Sequence, residues 1–103
     1  VFQIKEYIRQ NFAVPTLSVL DISQYANRSS SYICTLFKNE TGLTINQYLT
    51  DYRIKMSKQF LSNPRYRITD ISAKVGYSDG NYYSKAFRKI VGLSPSEYRE
   101  KIL

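Results

Sequence analysis

Apolar positions recur with helical spacing along most of the chain. Ile4, Tyr7, Ile8 and Phe12 form an i, i+3, i+4, i+8 stripe, which predicts an amphipathic helix over residues 2–12 that ends before Pro15. Ile45, Tyr48, Leu49, Tyr52, Met56 and Phe60 mark one face of a longer helix over residues 45–61, stopped by Asn63-Pro64. At ~1.5 Å per residue this helix is a rod about 25 Å long. Ile33, Leu36 and Phe37 fall on one side of another helix, and Tyr83, Ala86, Phe87 and Ile90 on one side of a further one. Both sides read as packing faces. No segment alternates with the period of a strand, so the expected fold class is all-α.

The chain also repeats itself. Asp21-Ile22-Ser23 recurs as Asp70-Ile71-Ser72, and Ser29 as Ser78, at an offset of 49. From Tyr32 the offset is 50, pairing Tyr32 with Tyr82, Phe37 with Phe87, Gly42-Leu43 with Gly92-Leu93 and Tyr48 with Tyr98. Two copies are too few for a solenoid and read as one duplicated supersecondary unit. The punctuation of each copy is that of a helix-turn-helix. Ser18 can cap a short helix that runs to about Ala26. Asn27 and its mate Gly76 are the residue types that most readily take positive φ in a sharp turn. Ser29 and Ser78 then stand as N-caps of second helices over residues 30–40 and 79–90, each ended by a glycine followed by leucine, as in a Schellman cap. Thr44 with Gln47 and Ser94 with Glu97 have capping-box spacing, and Pro95 suits a first helical position. The expected organisation is a first subdomain over residues 1–43 with its helix-turn-helix at 18–40, and a linking helix at 45–61. A second subdomain follows over residues 64–103, with its helix-turn-helix at 69–90.

Length and composition narrow the setting. With 103 residues, 43% of them hydrophobic, the chain can bury one main core. Fifteen Lys and Arg against eight Asp and Glu give a formal charge of +7, which biases the partner toward a polyanion. Histidine is absent and Cys34 is the single cysteine, so neither a metal site nor a disulfide framework is expected, and no cofactor is implied. Glycine-rich phosphate loops and paired carboxylates on a common face are also missing, which leaves no catalytic residues to name. One cysteine fits a reducing cytoplasm, and no apolar run suits a bilayer. The start at Val1, already inside a helical pattern, reads as the start of a piece of something longer.

The polar faces of the two second helices carry the candidate chemistry. Ser31, Cys34, Thr35 and Lys38 project together in one unit, and Asn81, Ser84, Lys85 and Arg88 in the other. Asn can pair bidentately with adenine, Lys can donate to guanine N7 and O6, and a Thr methyl can meet a thymine methyl. Ser31, Cys34, Thr35, Asn81, Ser84 and Lys85 are therefore the base-contact candidates. Lys38 and Arg88 lie farther along their helices and suit phosphates; with Ser29, Ser78 and Tyr82 they make up the backbone-contact candidates. A merely solvated helix face is the alternative for any one of them, and an RNA-binding or protein-interaction module is the alternative for the whole. Tyr7, Tyr48, Tyr52, Tyr83 and Tyr98 sit on core stripes and read as packing rather than as a stacking platform.

These residues resemble the DNA-binding domain of the AraC/XylS family of bacterial transcription regulators. The resemblance is most specific over Ile71–Asp79, Asn81–Lys89 and Gly92–Arg99. It extends to the first unit through Ser29, Tyr32-Ile33, Leu36-Phe37-Lys38 and Glu40-Thr41-Gly42, and to Arg53 in the linking helix. It implies seven helices, two helix-turn-helix subdomains joined by the long helix, and recognition helices entering adjacent major-groove segments of double-stranded DNA. The first recognition helix is poor in large donors, so either helix can be the principal reader. RNA polymerase and an N-terminal sensory or receiver domain are the further partners implied. The opening pattern, Ile4 through Phe12, is similar to that of YesN-like response regulators.

Overall fold

Helix boundaries fall where side chains can satisfy the free amides of a first turn. A computed structural model describes all residues, 1–103. It contains α1 (Phe2–Asn11), α2 (Val19–Ala26), α3 (Ser30–Thr41), α4 (Ile45–Leu61), α5 (Ile68–Lys74), α6 (Gly80–Val91) and α7 (Pro95–Ile102). Full capping boxes open α2 (Ser18 with Asp21), α4 (Thr44 with Gln47) and α7 (Ser94 with Glu97). Ser29 Oγ caps α3 by accepting the Tyr32 amide at 3.1 Å. In α6 the expected cap is corrected: Asp79, not Ser78, receives the Asn81 amide, at 2.8 Å. From the left-handed residue to the cap the second turn is one residue longer, Gly76 to Asp79 against Asn27 to Ser29, so the change of offset from 49 to 50 falls inside it.

The turns themselves are Schellman motifs. Asn27 (φ 55°) and Gly76 (φ 97°) both take left-handed backbone. Around them Arg28 N–H reaches Ser23 O and Tyr77 N–H reaches Ser72 O, at 3.1 and 3.0 Å. Gly42 and Gly92 are also left-handed, but each makes a single bond, to Lys38 O and Arg88 O. That is the simpler αL cap rather than the expected Schellman one. At Gly42 the reason is visible, because Thr41 Oγ1 accepts the Leu43 amide at 3.1 Å and takes it out of the motif.

Two cores replace the single one that chain length suggests. Ile4, Ile8, Ile22, Ile33, Phe37, Ile45 and Leu49 form the first. Ile54, Leu61, Ile71, Val75, Tyr83 and Phe87 form the second. Helix α4 feeds both, its first half facing one and its second half the other, and Phe12 packs against both. The result is elongated, 43 × 22 × 21 Å. Ile90 is a further correction, being 44% exposed rather than core. It lines an open cleft of about 390 Å³ with Asn46, Gln47, Thr50, Asp51 and Lys89.

Candidate nucleic-acid interface

The 3.6-residue period divides α3 and α6 in the same way. Helix α3 buries Ile33 and Phe37; helix α6 buries Tyr83 and Phe87. Ser31, Cys34, Thr35 and Lys38 are all exposed on α3, as are Asn81, Ser84, Lys85 and Arg88 on α6. Each set is therefore on the solvent side of a helix held from behind by an aromatic-rich core. Phe37 meets Tyr48 edge to face at 5.4 Å, and Phe87 meets Tyr98 the same way, also at 5.4 Å. These packings immobilise the backbones that carry the exposed polar groups.

Charge is distributed unequally between the two helices. Helix α6 carries Lys85, Arg88 and Lys89 with no acidic residue in its length, whereas Glu40 offsets Lys38 on α3. Lys38 turns back to donate to Gly42 O at 3.0 Å, closing its own helix. Arg88 lies 3.5 Å from Glu97, an exposed pair. The backbone and side-chain hydrogen bonds at Ser94 hold the Glu97 carboxyl below its ordinary range, with Arg88 a smaller cause. Exposed ion pairs contribute little, so Arg88 can exchange its local partner for a phosphate at small cost. Lys85 and Lys89 form no ion pair.

Of the remaining candidates, Ser29 is exposed but its hydroxyl serves the α3 cap. Ser78 is exposed one residue before the α6 cap, and Tyr82 is 66% exposed. Cys34 is free and exposed. The sequence reading missed Tyr32, which is 51% exposed beneath the Arg28 guanidinium at 5.5 Å. The signal was available, since Tyr32 is the repeat mate of Tyr82. Arg53 carried no assigned role, yet it is the most buried cation of the molecule. At 9% exposure it donates Nε–H to Phe12 O at 2.8 Å and Nη2–H to Val14 O at 2.9 Å. Burial lowers its pKa from the ordinary arginine value. No cluster of His, Cys, Asp and Glu could hold a metal ion, and no helix is long and apolar enough to cross a membrane.

Comparison with known proteins adds relatives to this geometry. The profile of a family described as "Helix-turn-helix domain" matches residues 22–101. The chain is similar to the Msm operon regulatory protein of Streptococcus mutans, 39% identical over 99% of this chain and 36% of that protein. Among solved structures it resembles the C-terminal domain of AraT, a response regulator from Geobacillus stearothermophilus. That likeness has TM-score 0.92 and 30% identity over 95% of this chain and 81% of that one. It also resembles the C-terminal domain of the two-component response regulator yesN from Fusobacterium nucleatum, with TM-score 0.89 and 26% identity over 93% of each chain. The chain spans about a third of the length of the curated relatives it matches.

Proposed function

The chain belongs to the AraC-type helix-turn-helix family, and on that premise we propose that it binds double-stranded DNA sequence-specifically to regulate bacterial transcription. In this reading α3 and α6 are the recognition helices and enter adjacent major-groove segments. The observation that carries the reading is the duplication of one exposed face. Two helices, each braced from behind by its own core, present small polar and cationic groups to solvent. A long axis of 43 Å accommodates two such helices one duplex turn, or ~34 Å, apart.

Asn81, Ser84 and Lys85 read bases from α6, and Ser31, Cys34 and Thr35 from α3. Ser29, Lys38, Ser78, Tyr82 and Arg88 hold the phosphates. The acid-free α6 supplies more of the electrostatic affinity, and its Asn81 and Lys85, larger donors than Ser31 and Thr35, favour it as the principal reader. The chain acts by binding rather than by catalysis. It works in the cytoplasm as part of a longer protein that meets RNA polymerase. An N-terminal receiver, as in the response regulators it resembles, or a sensory domain supplies the signal.

Selection of bound sequences from a random duplex library tests this directly. The expected product is an unsymmetrical site with two information-rich blocks about 10 base pairs apart, bound by one chain. Asn81→Ala and Lys85→Ala should each cost about 1–3 kcal/mol on that site and relax one block only. Thr35→Ala should relax the other block, more weakly. No enrichment of any duplex, or a preference for RNA over duplex DNA at equal salt, would overturn the assignment.

A further inference from the structure

Arg53 touches both halves of the molecule at once. Its two hydrogen bonds hold carbonyls of the loop that joins α1 to α2. Its guanidinium also lies 5.5 Å from the centre of the Tyr77 ring, in the turn between α5 and α6. Gly76 presses against the same group: a Cβ there would stand 2.4 Å from Phe12 O and 2.8 Å from Arg53 Nε. The turn that leads into one candidate recognition helix and the loop that leads into the other helix-turn-helix are thus joined through a single buried cation. Phe12, beside it, packs against both cores and meets Tyr52 edge to face at 5.2 Å.

A second arginine provides an internal comparison. Arg99 of α7 donates Nε–H to Leu61 O and Nη2–H to Asn63 O, at 3.1 and 3.3 Å. The pattern matches that of Arg53, with two carbonyls two residues apart at or just after the end of a helix, held by an arginine from a later helix. Arg99 works wholly within the second unit, whereas Arg53 also reaches across the joint.

We infer that Arg53 is a positioning residue that fixes the two recognition helices at one separation and orientation, and so sets the spacing of the two blocks the protein reads on DNA. The spacing part rests on the DNA-binding function proposed above; the separation of the helices does not, and can be measured without DNA.

The experiment places one spin label on the native Cys34 of α3 and another on Ser84→Cys of α6, and records their distance distribution in the DNA-free chain. Arg53→Lys, which retains the charge but not the two-pronged bond, should broaden the distribution while helical content is kept. Arg99→Lys should lower the melting temperature and leave the distribution narrow. With unlabelled protein on the selected site, inserting one base pair between the blocks should weaken wild-type binding on the order of tenfold. The same insertion should matter about threefold or less to Arg53→Lys, below the lower end of what one altered position costs. A folded Arg53→Lys chain with a distribution as narrow as wild type overturns the inference. If Arg53→Lys does not fold, Tyr77→Leu removes the aromatic face and leaves both carbonyl bonds; a narrow distribution there overturns it equally. A wild-type protein that selects no two-block site, with the label distances behaving as expected, refutes the DNA reading and leaves the positioning role standing.

Discussion

Gly76→Ala should cost several times more stability than Gly42→Ala, although both glycines have left-handed backbone. At Gly42 an added Cβ meets nothing within 4 Å, so only conformational strain counts. That strain is roughly 1–2 kcal/mol, offset by about 0.4–1 kcal/mol because alanine stiffens the unfolded chain. A net loss of about 1 kcal/mol is expected there. At Gly76 the same strain is joined by contacts of 2.4 Å to Phe12 O and 2.8 Å to Arg53 Nε. The first of these is main chain and cannot swing away, so Arg53 must release Phe12 O or the loop must move. A hydrogen bond from a charged donor contributes about 1.5–3 kcal/mol, which brings the total for Gly76→Ala to about 2.5–4 kcal/mol. That is a large share of the ~5–15 kcal/mol that holds a domain of this size together. With each kcal/mol shifting Tm by about 4–8 °C, Gly42→Ala should melt slightly below wild type and Gly76→Ala on the order of 15–30 °C below it. Urea titrations followed by circular dichroism give the free energies. Two variants equal within about 0.5 kcal/mol, the usual scatter of such comparisons, would show that Gly76 does not press on the Phe12–Arg53 contact.

Two further outcomes test the surface and the core. Lys38→Ala and Arg88→Ala should weaken binding to all duplexes alike, each lowering the slope of log K against log salt by about one phosphate's worth; loss on one sequence with an unchanged slope would make them base readers. The buried Tyr83 hydroxyl makes no hydrogen bond of ordinary geometry, although the Ser57 hydroxyl stands close enough to favour its ionised form, so Tyr83→Phe should raise stability by at most about 1 kcal/mol. Burial also pushes the Tyr83 phenol above its ordinary value of 10.0. The unfolded chain therefore ionises first, and stability present below pH 10 is lost as pH rises through the folded value. Tyr83→Phe should flatten that alkaline limb, and an unaltered limb in urea midpoints measured above pH 10 would assign it to other tyrosines.

What could be read from the sequence was local chemistry. Ser18 with Asp21, Thr44 with Gln47 and Ser94 with Glu97 declare helix starts because cap and partner are three residues apart. Asn27 and Gly76 declare the turns because few residue types tolerate positive φ. The exposed faces of α3 and α6 followed from periodicity alone. The Arg53 bonds were not readable, because they span 41 and 39 residues and no local pattern marks an arginine that turns inward. Ile90 was misplaced for a different reason. It continues the stripe of Tyr83, Ala86 and Phe87, but by then α6 has passed the edge of its core. The repeat held the warning, since the mate of Ile90 is Glu40, which no core would accept.

The joint between the units follows from the double duty of α4. Its first half pairs with α7 at an offset of 50, through Tyr48 and Tyr98, and closes the first core. Its second half takes the place in the second core that α1 has in the first, so at an offset of 49 Ile4, Ile8 and Phe12 become Arg53, Ser57 and Leu61. Two of the three substitutions would damage an ordinary core. Ser57 replaces an isoleucine, but Tyr83 stands where the first unit has Ile33, so a smaller residue on one helix is met by a larger one on another. Ser57 satisfies its own hydroxyl by donating to Ile54 O at 2.7 Å. Arg53 replaces Ile4, and there the compensation is polar: the group that would be a buried cost within the second unit alone spends its donors on carbonyls of the first. Apolar packing fixes the joint only through the shapes of the side chains that interdigitate across it. A directional, two-pronged hydrogen bond at a position belonging to both units restricts the joint further.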